Sequence, residues 1–212
     1  MFCATACVKT GSSYGWYRKK ITIPEGWAGA KVLLHCEAIG TKSTVFFDGK
    51  ELGSHVGAFK RISHELPGAM AGKEHEILVF FDDTDKRMSR GKSGTLAGIW
   101  QTVWLEAVPQ DYITSFQQTP DIDQSCLVLN VDASDPTLTV TATALDQGKE
   151  VATVQGDAKS AFTLKIPDQK LWSPESPFLY DLVLELKRDG KTIDRVEGYF
   201  GMRKISTGEV DG

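Results

Sequence analysis

The stretch that decides the fold is Gly98-Ile99-Trp100-Gln101-Thr102-Val103-Trp104-Leu105-Glu106. It alternates: Ile99, Gln101, Val103 and Leu105 point one way, Trp100, Thr102, Trp104 and Glu106 the other. A period of two built from β-branched and aromatic residues predicts a strand, since no helical face would gather these positions. Both faces carry bulky apolar groups, so the strand is expected to be covered on both sides. Before it runs a polar loop over residues 82–97, with Asp83, Asp85, Lys86, Arg87, Arg90, Lys92 and two glycines. After it comes Val108-Pro109, read as the exit from a first domain (residues 1–108) into a second (residues 109–212).

Upstream of this stretch the pattern stays that of strands. Residues 16–23 alternate and stop at Pro24, and residues 31–39 alternate again, with Val32, Leu34, Cys36 and Ala38 on one face. Residues 44–47 meet Asp48-Gly49 and then residues 50–52, a hairpin signal because a type I′ turn needs positive φ at both central residues. Residues 59–66 and 76–81 read as further strands, separated by a turn over residues 67–72. Downstream, residues 112–116, 127–131, 138–145, 150–154, 161–166, 180–186 and 192–200 make about seven short strands, with turn signals at Gln147-Gly148 and Asp189-Gly190. This spacing predicts an immunoglobulin-like sandwich, although the Cys…Trp…Cys pattern of antibody domains is missing. The fold class expected is all-β, two sandwiches in series.

At 212 residues, two domains of about 100 residues can each bury a core. A net charge of -4 with both signs interspersed argues against a nucleic-acid partner, and no apolar run reaches the length of a membrane span. The N-terminus is apolar but short and lacks a basic leading region, a poor secretion signal; cytoplasm and periplasm both remain open. Cys3 and Cys7 have no matching second pair nearby, Cys36 reads as a buried thiol, and His35, His55, His64 and His75 are scattered. No metal site, disulfide framework or cofactor is therefore expected. There is no Gly-x-Ser-x-Gly elbow and no phosphate-cradling glycine loop.

Four segments together carry a resemblance: Gly15-Trp16-Tyr17-Arg18-Lys19-Lys20, the Gly98 to Glu106 stretch, Leu171-Trp172-Ser173-Pro174-Glu175-Ser176-Pro177-Phe178-Leu179-Tyr180, and Phe200-Gly201-Met202-Arg203. In this order they resemble glycoside hydrolase family 2, the β-galactosidase and β-glucuronidase family. The resemblance implies a jelly-roll-like, sugar-binding-type sandwich followed by an immunoglobulin-like one. It implies a parent enzyme that hydrolyses terminal β-linked sugars, most of all β-galactosides, on a (β/α)8 barrel following in the same chain. Retaining hydrolysis needs two carboxyl groups about 5–5.5 Å apart; in the family both are barrel glutamates, the acid/base directly after an asparagine. Here the single asparagine, Asn130, is followed by Val131, and no alternating strand–helix pattern is present. No catalytic residue is assigned, and the chain by itself is expected to be inactive.

The resemblance also suggests that loop 82–97 reaches the barrel's mouth. Asp83, Asp85, Arg90 and Lys92 are the candidate carbohydrate-binding residues, their side chains suited to paired hydrogen bonds with hydroxyls. The competing reading, which composition favours, is a solvated loop. Trp100 and Trp104 pose the same choice between a stacking platform for sugar rings and packing, and packing is favoured. Trp172 is expected to plug the edge of the second sandwich. Family members carry further strands before Gly15, and residues 1–14 do not resemble them. A shortened front would leave a sheet edge open to association and make a homo-oligomer one expectation. The rival readings of function are a free-standing carbohydrate-binding module and a structural interaction module.

Overall fold

The structure, a computed structural model, describes residues 5–7, 14–84 and 98–206. It is all-β and divides into two compact units, Met1–Val108 and Pro109–Gly212. In the first unit the strands are β1 (Thr5–Cys7), β2 (Tyr14–Thr22), β3 (Lys31–Cys36), β4 (Lys42–Phe47), β5 (Lys50–Val56), β6 (Ile62–Glu65), β7 (Glu74–Asp82) and β8 (Val103–Val108). They form a five-stranded sheet, β1-β2-β7-β4-β5, and a three-stranded sheet, β6-β3-β8. The inward residues of both sheets make one core: Ile21, Val45, Phe47, Ile77, Val79 and Phe81 from the larger, Val32, Leu34, Cys36, Ile62 and Val103 from the smaller. Burial pushes the Cys36 thiol up to about 12, so it behaves as a small hydrophobe, as its strand face predicted.

The second unit holds β9 (Ile113–Asp121), β10 (Cys126–Ala133), β11 (Thr139–Asp146), β12 (Lys149–Asp157), β13 (Phe162–Lys165), β14 (Tyr180–Arg188) and β15 (Lys191–Phe200). Its sheets run β13-β10-β9 and β12-β11-β14-β15, an immunoglobulin-like sandwich. Leu127, Leu129, Val131 and Leu164 from the first sheet meet Val140, Ala142, Leu182, Leu184 and Phe200 from the second. Pro120 lies inside β9 without breaking it, because β9 is an edge strand and needs no donor on its outer side.

Local chemistry explains the turns. Asp48-Gly49, Gln147-Gly148 and Asp189-Gly190 all have positive φ at both residues, the type I′ geometry that matches the strand twist. The deciding stretch departs from expectation in one respect: regular pairing begins at Val103, not at Gly98. Gly98 has φ +77°, and a side chain there would collide with the Tyr17 hydroxyl. The chain between Gly98 and Thr102 still follows residues 37–40, through Gly40 N–H to Gly98 O (2.8 Å), Trp100 N–H to Ala38 O (3.3 Å) and Glu37 N–H to Thr102 O (3.0 Å). The ladder is irregular but continuous. At the front, β1 adds an edge strand to the larger sheet through Thr5–Cys7, a segment that carried no strand signal in the sequence.

Candidate functional site

Of the candidate loop residues, Asp83 lies within the described structure; Asp85, Arg90 and Lys92 lie outside the described residues. Asp83 continues the inward face of β7 past Phe81 and is only 3% exposed. Its Oδ2 accepts the Gly98 N–H at 3.0 Å, joining the two chain ends from which residues 85–97 depart. Gly40 packs against the same carboxyl group so closely that a Cβ there would lie 2.2 Å from Oδ2. Asp82, facing outward, accepts from the Thr84 N–H and hydroxyl at 2.9 and 2.6 Å, a local turn that starts the loop. Asp83 Oδ1 has no hydrogen-bond partner among the described residues, an uncommon state for a buried carboxylate oxygen. The arrangement clamps the base of the loop.

The two tryptophans each have their own partners. Trp100 donates its Nε1–H to Ala58 O at 3.0 Å and receives the Phe59 ring edge-on at 5.4 Å. Trp104 stacks on His35 at 4.2 Å and donates its Nε1–H to Glu37 Oε1 at 3.1 Å. Around that stack the outer face of β6-β3-β8 is tied into one polar network. His35, 7% exposed, joins Ser63 Oγ through Nδ1 (2.8 Å) and Glu106 Oε2 through Nε2 (3.0 Å). Arg61 Nε donates to Glu37 Oε2 at 3.0 Å. Hydrogen bonds from Arg61 and Trp104 hold the Glu37 carboxyl below the usual carboxylate range. Sequence reasoning missed this network. The histidine was visible in the strand, but its cover comes from residues 28 and more positions away.

In the second unit, Ile122, Leu171, Trp172, Pro174, Met202 and Arg203 line a shallow pocket of about 360 Å³. The Arg203 guanidinium lies over the Trp172 ring, 4.5 Å from its centroid, and the Trp172 N–H donates to Met202 O at 3.0 Å. Trp172 thus sits at the end of this sandwich, linking the segment before β14 to the residues after β15. Among the described residues no group of three or more His, Cys, Asp or Glu side chains could hold a metal ion.

Two antiparallel sandwiches in series, each with its own core and with the candidate loop opening from the first, define the class: an all-β, two-sandwich chain. Residues 112–203 match the sequence profile described as Glycosyl hydrolases family 2. Beta-galactosidase BoGH2A of Bacteroides ovatus is 29% identical over 91% of this chain and 25% of its own length. A beta-glucuronidase of Bacteroides fragilis is 25% identical over 91% of this chain and 32% of its own. Among solved structures, Ruminococcus gnavus β-glucuronidase in complex with D-glucuronic acid aligns with TM-score 0.78 at 20% identity, covering 92% of this chain and 37% of that one. The chain thus spans a quarter to a third of the length of these curated relatives.

Proposed function

We propose that this chain is the non-catalytic β-sandwich portion of a family 2 glycoside hydrolase that cleaves terminal β-galactosides. In this reading residues 1–108 form a jelly-roll, sugar-binding-type domain and residues 109–212 an immunoglobulin-like domain, and both buttress a catalytic barrel. Loop 82–97 contributes to the substrate pocket's rim, with Asp83 at its base and Asp85, Arg90 and Lys92 as its sugar-binding residues. One observation carries the reading: more than nine-tenths of the chain aligns with β-galactosidases and β-glucuronidases that extend far beyond the aligned part. The galactoside is preferred on the 29% identity with the Bacteroides ovatus β-galactosidase.

The test compares the purified chain with the product of the reading frame extended past Gly212, on nitrophenyl β-galactoside and β-glucuronide. The chain by itself is expected to show no turnover above buffer, since retaining hydrolysis needs two carboxyl groups held on one scaffold. The extended product is expected to hydrolyse the galactoside. Preference for the glucuronide would overturn the sugar assignment. Saturable hydrolysis by the short chain would overturn the non-catalytic role.

A further inference from the structure

The outer face of the five-stranded sheet carries an aromatic cluster that neither the core nor the loop clamp uses. Residues of even number on β2, β7 and β4 point outward here, so Tyr14, Trp16, Leu78, Phe80 and Phe46 share one surface. Trp16 packs on Phe80 at 4.9 Å and on Phe46 at 5.7 Å, yet remains 43% exposed; Tyr14, two residues along the same strand, is 60% exposed. Two strand steps separate the latter pair by roughly 7 Å. Beside the rings lies a polar row in which Thr44 Oγ1 and Ser54 Oγ are 2.8 Å apart and Ser54 donates to Glu51 Oε1 at 3.2 Å. Two charge pairs flank the rings, Arg18 with Glu76 at 2.5 Å and Lys20 with Glu74 at 2.7 Å, and the exposed Lys42 stands on the same face beside Thr44.

We infer that this face binds a glycan of hexopyranose units, stacked on Trp16 and Tyr14 and hydrogen-bonded along Thr44, Ser54 and Glu51. The rings offer flat apolar area to the C–H faces of a sugar, and the neighbouring hydroxyls and carboxylate match its hydroxyls. A protein partner fits less well. A stable dimer buries about 800 Å² per partner, and reaching that area from this small cluster means covering the flanking ion pairs and removing them from water. A sugar covers the rings and leaves the pairs solvated. The inference goes beyond the buttressing role and needs no barrel.

The experiment is calorimetric titration of the intact chain with β-1,4-galactotetraose and cellotetraose, with sedimentation run in parallel. At least one tetrasaccharide is expected to bind saturably at millimolar concentration. Trp16→Ala should weaken it about tenfold or more and Tyr14→Ala several-fold. Trp16→Leu keeps apolar contact with Phe46 and Phe80 but removes the flat ring, so it should lose binding while thermal unfolding stays near wild type. Absence of saturable heat with both sugars overturns the inference, as does binding unchanged in Trp16→Leu. A wild-type dimer that Trp16→Leu dissociates would reassign the face to contact between copies. None of these failures touches the family reading, which the extended reading frame tests separately.

Discussion

Gly40 and the Asp83 carboxyl compete for one small volume. A methyl group at Gly40 would lie 2.2 Å from Oδ2 and 2.7 Å from Cγ, well inside contact distance, and both residues are buried. Gly40→Ala should therefore destabilise the first unit by about 2–3 kcal/mol, the range of an overpacked core. Adding Asp83→Gly should restore part of that loss, because the clash partner is gone; strict additivity in urea unfolding would reject the shared-volume argument. His64 sets a second residue-scale prediction. Burial, and then the charge of His55, hold its imidazole below the ordinary value of 6.5. The folded state thus resists a proton that the unfolded chain accepts below about pH 6.5, so stability is full above that value and falls as the pH drops towards the lower folded one. Urea midpoints should decline from neutral pH to about pH 5, and less steeply in His64→Gln. Equal slopes in the two proteins would remove His64 from the account.

At the scale of elements, the hairpins show where local sequence suffices. Asp48 sits at φ 46° and accepts from His75 Nδ1 at 2.6 Å and from the Glu76 N–H at 2.8 Å, tying the turn to β7. Asp48→Ala should cost about 1–2 kcal/mol through the lost hydrogen bonds and the strained positive φ, and Asp48→Asn clearly less. Equal thermal midpoints for the two variants would mean the side-chain bonds contribute nothing. The second unit's seven strands were legible because Leu127–Leu129–Val131 and Leu182–Leu184–Leu186 repeat at period two on a one-sided core. Three features were not legible, each for a non-local reason. β1 exists by pairing with Trp16 to Arg18, not by its own composition. The delayed start of β8 at Val103 lies beside Gly98, whose close packing on the Tyr17 hydroxyl comes from a distant strand. His35 is buried on the outward face by Trp104, Ser63 and Glu106, whose approach no local window reveals. Of the candidate site, the burial of Asp83 was not legible, because it depends on two glycines brought from opposite sides.

At the scale of the whole molecule, the decisive feature is that the two cores share no residue among those described. Each unit closes its own pair of sheets, and the junction at Val108 and Pro109 passes from a buried residue to an exposed one. Hydrophobic burial is the main favourable term of folding, and here it is partitioned rather than shared. A unit of about 100 residues with a sandwich core is large enough to fold by itself. Residues 109–212 expressed alone should therefore show a single cooperative urea transition, with a midpoint close to that of the corresponding phase in the full chain. Limited proteolysis of the full chain should cut near residue 109 or within 82–97, and leave a resistant fragment beginning close to residue 110. Two results would sink the division. One is preferred cleavage inside residues 138–166, which would place the weak point within the second sandwich. The other is a second unit that unfolds without cooperativity when separated, since its buried Leu127, Val140 and Leu184 would then need surfaces that only the first unit supplies.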